Sequence, residues 1–175
     1  RFNPADGQLY VTGMSGWGTY TPDDGCFQRV RYTGAPVILP IGIKIYADGI
    51  WLKFPQSLPK SVEDASAHFA QAWNYRYSSS YGSPEFSVTH PDVPGHDWMA
   101  ITDVSVSASR DELFVQMPDL RAVNQLHLNL ALTDAARIDP GQTTDLFVTI
   151  HQLAEPFDRW AVPNHGAKLL TRHPI

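Results

Sequence analysis

This sequence predicts an all-β chain: an immunoglobulin-like antiparallel β-sandwich with an N-terminal β-hairpin and one short helix. Three observations carry that expectation. Apolar side chains recur at every second position in a series of short runs, the spacing of strands with one buried face. Clusters of Gly, Pro, Asp and Ser punctuate the runs about every ten residues, the rhythm of a sandwich. The pair Asp48-Gly49 also sits between two alternating runs, a strong hairpin signal.

The first run follows a turn at Asp6-Gly7. Leu9 and Val11 alternate with Gln8, Tyr10 and Thr12, and residues 27–32 resume the alternation after a glycine-rich stretch around Trp17 and a turn cluster at 22–25. A strand, a long loop and a returning strand make residues 1–34 a hairpin. Residues 35–153 form the sandwich module. Ile41, Ile43 and Ile45 lead into Asp48-Gly49, while Ile50, Leu52 and Phe54 lead out of it. Pro55 and Pro59 end that strand, because proline has no N–H for a ladder.

Residues 61–73 read as the helix. Ser61 caps it, Glu63 and Asp64 suit the positive end of its dipole, and Ala65, Phe69, Ala72 and Trp73 share a face. Further strands are expected at 100–106, with a bulge near Asp103, and at 113–117, 126–132 and 146–150. Leu126, Leu128, Leu130 and Leu132 alternate most regularly, and their neighbours His127 and Asn129 mark a wet face. Beyond Leu153 the alternation stops. Residues 154–175, interrupted by Pro156, Pro163, Gly166 and Pro174, read as a tail or linker free to lie against the sandwich.

Composition excludes several classes. The chain has 175 residues, 43% hydrophobic and 18% charged, which suits one packed domain with a small appendage and not a disordered segment. Its net charge of -5, with Lys and Arg scattered singly, offers no basic stripe to nucleic acid. No apolar run approaches the roughly 20 residues of a membrane-spanning helix. Cys26 is the only cysteine, so a disulfide framework and multi-cysteine metal sites are excluded, and a buried, small apolar role is expected of it. Residues 1–7 carry no secretory leader and read as the middle of a longer chain.

The string GQLYVTGMSGWGTYTPDDGCFQRVRYTG, residues 7–34, resembles the closing propeller blade of soluble glucose and sorbosone dehydrogenase-like proteins. It is most similar to large secreted bacterial forms that carry further haem-binding or cupredoxin-like domains. The resemblance continues through LPIGIKIYADGIWLKF, WNYRYSSSYGSPEFSVTHPDVPGHDW and DLFVTIHQL, and so covers nearly the whole chain. It implies a secreted or periplasmic parent in which this chain is the last blade segment plus the module that follows. The quinone and catalytic groups of such enzymes lie on earlier blades, so the resemblance assigns no catalytic residue here. The partners it implies are the neighbouring propeller and electron-transfer domains.

Candidate sites concentrate in residues 73–98, an aromatic and histidine-bearing excursion where a plain sandwich needs only a short connection. Trp73, Tyr75, Tyr77, Tyr81 and Trp98, with Trp17 and Tyr20 from the hairpin loop, offer faces either for contact with a neighbouring domain or for stacking on polysaccharide. Asn74, Arg76 and His96 supply polar partners. His90, Asp92, His96 and Asp97 lie within one short loop and form a plausible ligand set for zinc or copper. Their spacing matches no established metal motif, and the same residue types make turns and backbone hydrogen bonds in such loops. Ser78, Ser79 and Ser80 lack a nucleophile elbow. The adjacent pairs Asp23-Asp24 and Glu63-Asp64 are not the opposed carboxylates of a glycosidase.

The function expected is therefore that of a non-catalytic accessory module acting through its aromatic loop. A carbohydrate-binding module using the same loop is the first alternative, and a metal-dependent enzyme on the His/Asp set is the second. No cofactor is expected in this chain, apart from zinc or copper on that set.

Overall fold

The structure, a computed structural model, describes residues 1–14, 25–34, 38–79, 81–134 and 143–158. It divides into two compact units, Arg1–Val37 and Ile38–Ile175. The first is the expected hairpin. Strand β1 (Leu9–Met14) pairs antiparallel with β2 (Gly25–Val30), Leu9 opposite Val30 and Met14 opposite Gly25. The Tyr10 ring stacks on Phe27, with centroids 5.6 Å apart, and its hydroxyl donates to Asp6 at 2.8 Å. Cys26, expected to be buried, is exposed. Two paired strands by themselves bury neither of their faces.

The second unit holds two antiparallel sheets. One has the order β3-β4-β9-β8, built from β3 (Gly42–Tyr46), β4 (Gly49–Lys53), β8 (Asp103–Val106) and β9 (Glu112–Gln116). The other has the order β11-β10-β5-β6, built from β5 (Phe69–Tyr75), β6 (Glu85–Phe86), β10 (Val123–Leu130) and β11 (Thr144–Ile150). A further short strand, β7 (Asp97–Trp98), also pairs with β5. Period-two burial sends alternate residues to one side. Ile50 and Leu52 of β4, Leu113 and Val115 of β9, Ala70 and Ala72 of β5, and Leu126, Leu128 and Leu130 of β10 join a single buried cluster. Each fully buried Val, Leu or Ile among them contributes roughly 1.5–3 kcal/mol, above the exposed ion pairs of the described residues.

The Asp48-Gly49 hairpin is present, displaced by one residue from its expected turn. Ala47 and Asp48 make the two-residue loop, and Gly49 opens β4 opposite Tyr46. Glycine is required there by crowding: a Cβ would collide with the Val115 carbonyl oxygen and come within 2.5 Å of the Phe114 ring. Asp48 has a second task. Its Oδ1 accepts the Phe157 N–H at 2.8 Å, so Phe157 stacks on Phe114 at 4.1 Å on the outer side of the β3-β4-β9-β8 sheet. Residues 154–158 thus lie against the module, and the rest of the expected tail lies outside the described residues.

The helix expected over residues 61–73 does not form. Two short 3-10 turns, Lys60–Glu63 and Ala65–Ala67, are followed directly by β5. Phe69, Ala72 and Trp73, grouped on one helical face by spacing, divide instead between the two faces of a strand. His68 fixes the entry to that strand from a buried position. Ala131 N–H donates to its Nδ1 at 3.1 Å, and its Nε2 donates to the Val62 carbonyl at 2.8 Å. Both backbone groups would otherwise be buried without partners.

Candidate functional site

The excursion that follows β5 is folded back onto that strand. β6 pairs with Asn74 and Tyr75, and β7 pairs with Gln71 and Ala72, so the chain returns twice to β5. A strand left open at a sheet edge is a template for unwanted pairing, and these two returns cover it. Between them the backbone closes on itself through Ser87 N–H to Val93 O, Val93 N–H to His90 O and Gly95 N–H to Glu85 O, each at 2.9 Å.

Asp97 is the hub of the loop. Its Oδ1 accepts from the Ser87 hydroxyl at 2.7 Å and its Oδ2 from Thr89 N–H at 2.6 Å, while Ser87 Oγ accepts from His90 N–H at 2.8 Å. Burial works to raise the Asp97 carboxyl, and the hydrogen bonds from Ser87 and Thr89 outweigh it, so the group stays below the usual carboxylate range. Arg76 ties the other side of the loop. It donates to the Pro91 carbonyl and to Asp92, and its guanidinium lies 4.5 Å from the centre of the Phe86 ring. The Arg76–Asp92 pair is exposed and is worth at most about 1 kcal/mol by itself, so the carbonyl and ring contacts carry much of the anchoring.

The rings of the excursion fall into distinct environments. Trp73 is buried, only 5% exposed, because His96 stacks flat on it at 4.1 Å and its indole N–H donates to Tyr75 Oη at 2.9 Å. His96 is held in turn by Glu85 at 2.5 Å. Trp73 is therefore a fixing point for the loop and not a free face. Tyr75 is half-exposed, and Tyr77 and Tyr81 are fully exposed. Trp98 stands apart from them on the face of the sheet, edge-on to Phe69 at 4.8 Å. Trp17 and Tyr20, expected to add further rings, lie outside the described residues.

The four expected metal ligands do not converge. His90 is hydrogen-bonded to Thr89 Oγ1, Asp92 faces Arg76, His96 lies between Trp73 and Glu85, and Asp97 faces Ser87 and Thr89. Among the described residues no group of three or more His, Cys, Asp or Glu side chains is placed to hold a metal ion.

Two features were not singled out by sequence reasoning. Asn74 and Asn124 form a reciprocal clamp at the end of β5: Asn74 Oδ1 accepts from Asn124 N–H and Asn124 Oδ1 accepts from Tyr75 N–H, both at 2.8 Å. The clamp coincides with the register shift between Val123 and Leu126, and beside it opens a cleft of about 410 Å3 lined by Asn74, Arg76, Phe86, Asn124 and His151. The second feature is a row of rings on the outer face of the sheet, Trp98, Phe69, His127 and Phe147. Its sequence signal was the alternation that set His127 and Asn129 on the wet face of β10.

Comparison with known proteins adds no relative: no family model, no curated protein and no solved structure matches this chain.

Proposed function

We propose that this chain is an immunoglobulin-like β-sandwich module that works by contact. In this reading it holds a dehydrogenase-like propeller against an electron-accepting domain within a secreted or periplasmic multidomain protein. Strand order supports the sandwich. The orders β3-β4-β9-β8 and β11-β10-β5-β6 correspond, strand for strand, to the A-B-E-D sheet and the G-F-C sheet with its added C′ strand. Inward residues from both sheets also share one core. The hairpin supports the propeller neighbour, since a lone two-stranded ribbon is marginal in water and its Phe27 and Val30 are exposed as if for a further strand layer.

The observation that carries the functional reading is the split among the rings of residues 73–98. Trp73 is sealed under His96 and locks the loop, whereas Tyr77 and Tyr81 project fully into solvent from the locked frame. Tyr rings offer a large contact face with few rotatable bonds to fix on binding, which is why Tyr and Trp dominate contact hot spots. Photo-crosslinking tests the proposal. A photoreactive phenylalanine analogue at position 77 or 81 of the parent polypeptide is expected to crosslink to the propeller or the electron-transfer domain, and the same group at exposed Arg121 is not. Equal yields from all three positions, or none from 77 and 81, would refute the contact role.

A further inference from the structure

We propose that the outer face of the sheet formed by β7, β5, β10 and β11 binds a neutral polysaccharide chain, laid across the strands between Trp98 and Phe147. This site shares none of Tyr75, Tyr77 and Tyr81 with the contact surface above and stands independently of it.

The first argument is placement. Strand register puts Trp98 opposite Gln71, Gln71 opposite His127 and His127 opposite Phe147, one continuous row across four strands. Three strand spacings make that row roughly 14 Å long, the reach of an extended oligomer and too long for a single small ligand. The rings are braced against one another. Phe69 lies edge-on to both Trp98 and His127, and His127 stacks flat on Phe147 at 4.5 Å with 9° between the planes. The two end rings stay open, Trp98 69% exposed and Phe147 60%. Exposed rings already fixed in orientation suit the C–H faces of sugar rings, which stack without further ordering of the protein.

The second argument is hydrogen-bond polarity. His127 Nε2 donates to Asp145 Oδ1 at 2.7 Å, which makes Nδ1 the acceptor and turns the amide N–H of Gln71 toward it at 3.3 Å. Asn129 Nδ2 spends its hydrogens on Asp145 Oδ1 and Thr143 Oγ1, both at 2.7 Å. Left over among the described residues are three acceptors, Gln71 Oε1, Asn129 Oδ1 and Asp145 Oδ2, and one donor, the second Gln71 amide hydrogen. A ligand that complements this mainly accepting face brings O–H groups, which can donate to the three acceptors and accept from the one amide hydrogen, together with apolar faces. Hydroxyl-rich sugar chains do so, while the Asp145 carboxylate repels phosphates and uronic acids.

Affinity electrophoresis of the 175-residue chain through gels containing hydroxyethylcellulose, xylan, glucomannan or laminarin tests the site. At least one of these is expected to retard the protein. Trp98→Ala and Phe147→Ala should each weaken that retardation by about tenfold or more, Phe147→Tyr should keep it, and the Tyr77→Ala/Tyr81→Ala double variant should leave it unchanged. Thermal melts of the Phe147→Ala and Phe147→Tyr proteins show whether the loss is one of binding or of folding, and the Tyr variant decides the matter if the Ala variant melts early. No retardation in any gel, retardation indifferent to both ring removals, or capture of the face by poly-L-lysine in place of every glycan would overturn the proposal.

Discussion

Trp73 and His96 show how single side chains divide the work of the loop. Trp73 is a large buried ring, and Trp73→Ala is expected to cost about 3–5 kcal/mol of stability. His96 contributes mainly the stacked face above it, so His96→Ala is expected to cost only about 1 kcal/mol. Paired urea denaturations would check both values, and equal costs would mean that His96 is as deeply structural as Trp73. Asp111 makes a pH-dependent contribution. Lys53 Nζ at 2.7 Å and the Ser109 hydroxyl hold its carboxyl down at about 2, against an ordinary value of 3.8. A carboxyl depressed in the folded state stabilises above its unfolded value and loses that contribution as pH falls through the folded one. Stability is therefore expected to drop between about pH 4 and pH 2, and Asp111→Asn should flatten that part of a melting-temperature profile.

At the scale of elements, the excursion behaves as a small structure in its own right, hung on Asp97 and Arg76. Asp97→Ala removes the acceptor for both Ser87 and Thr89 and is expected to cost about 2 kcal/mol. Amide exchange at Val93 and Gly95 should quicken while the β10 amides keep their rates, and uniform quickening would count against a locally closed loop. Most strands were legible because one of their faces is wet, as His127 and Asn129 show on β10. β5 was not. Ala70 and Ala72 face the core while Trp73 lies under His96, so both sides of the strand are apolar and its alternation is lost among residues that also fit a helical face. β6 and β7 are two residues each and carry no period at all. The rings at 73–98 were legible as a group, but which tryptophan is sealed and which is open depends on how β6 and β7 return to β5. That is a long-range fact with no local signature. Phe147 joined the outer row for the same reason, since only register places it beside His127.

At the scale of the molecule, inward residues of both sheets join one buried apolar cluster, and the exposed rings lie outside it. Phe157 covers the outer side of one sheet, and the excursion and the ring row occupy the other. The central claim is that the tyrosines at the end of a locked loop form a contact surface. Chemical-shift mapping tests it most directly, by titrating the isotopically labelled 175-residue chain with its separately produced propeller neighbour. The predicted result is a set of perturbations centred on residues 75–83, with the amides of Leu126, Leu128 and Leu130 unmoved. Perturbations confined to other parts of the module, or none at saturating concentration, would contradict the account.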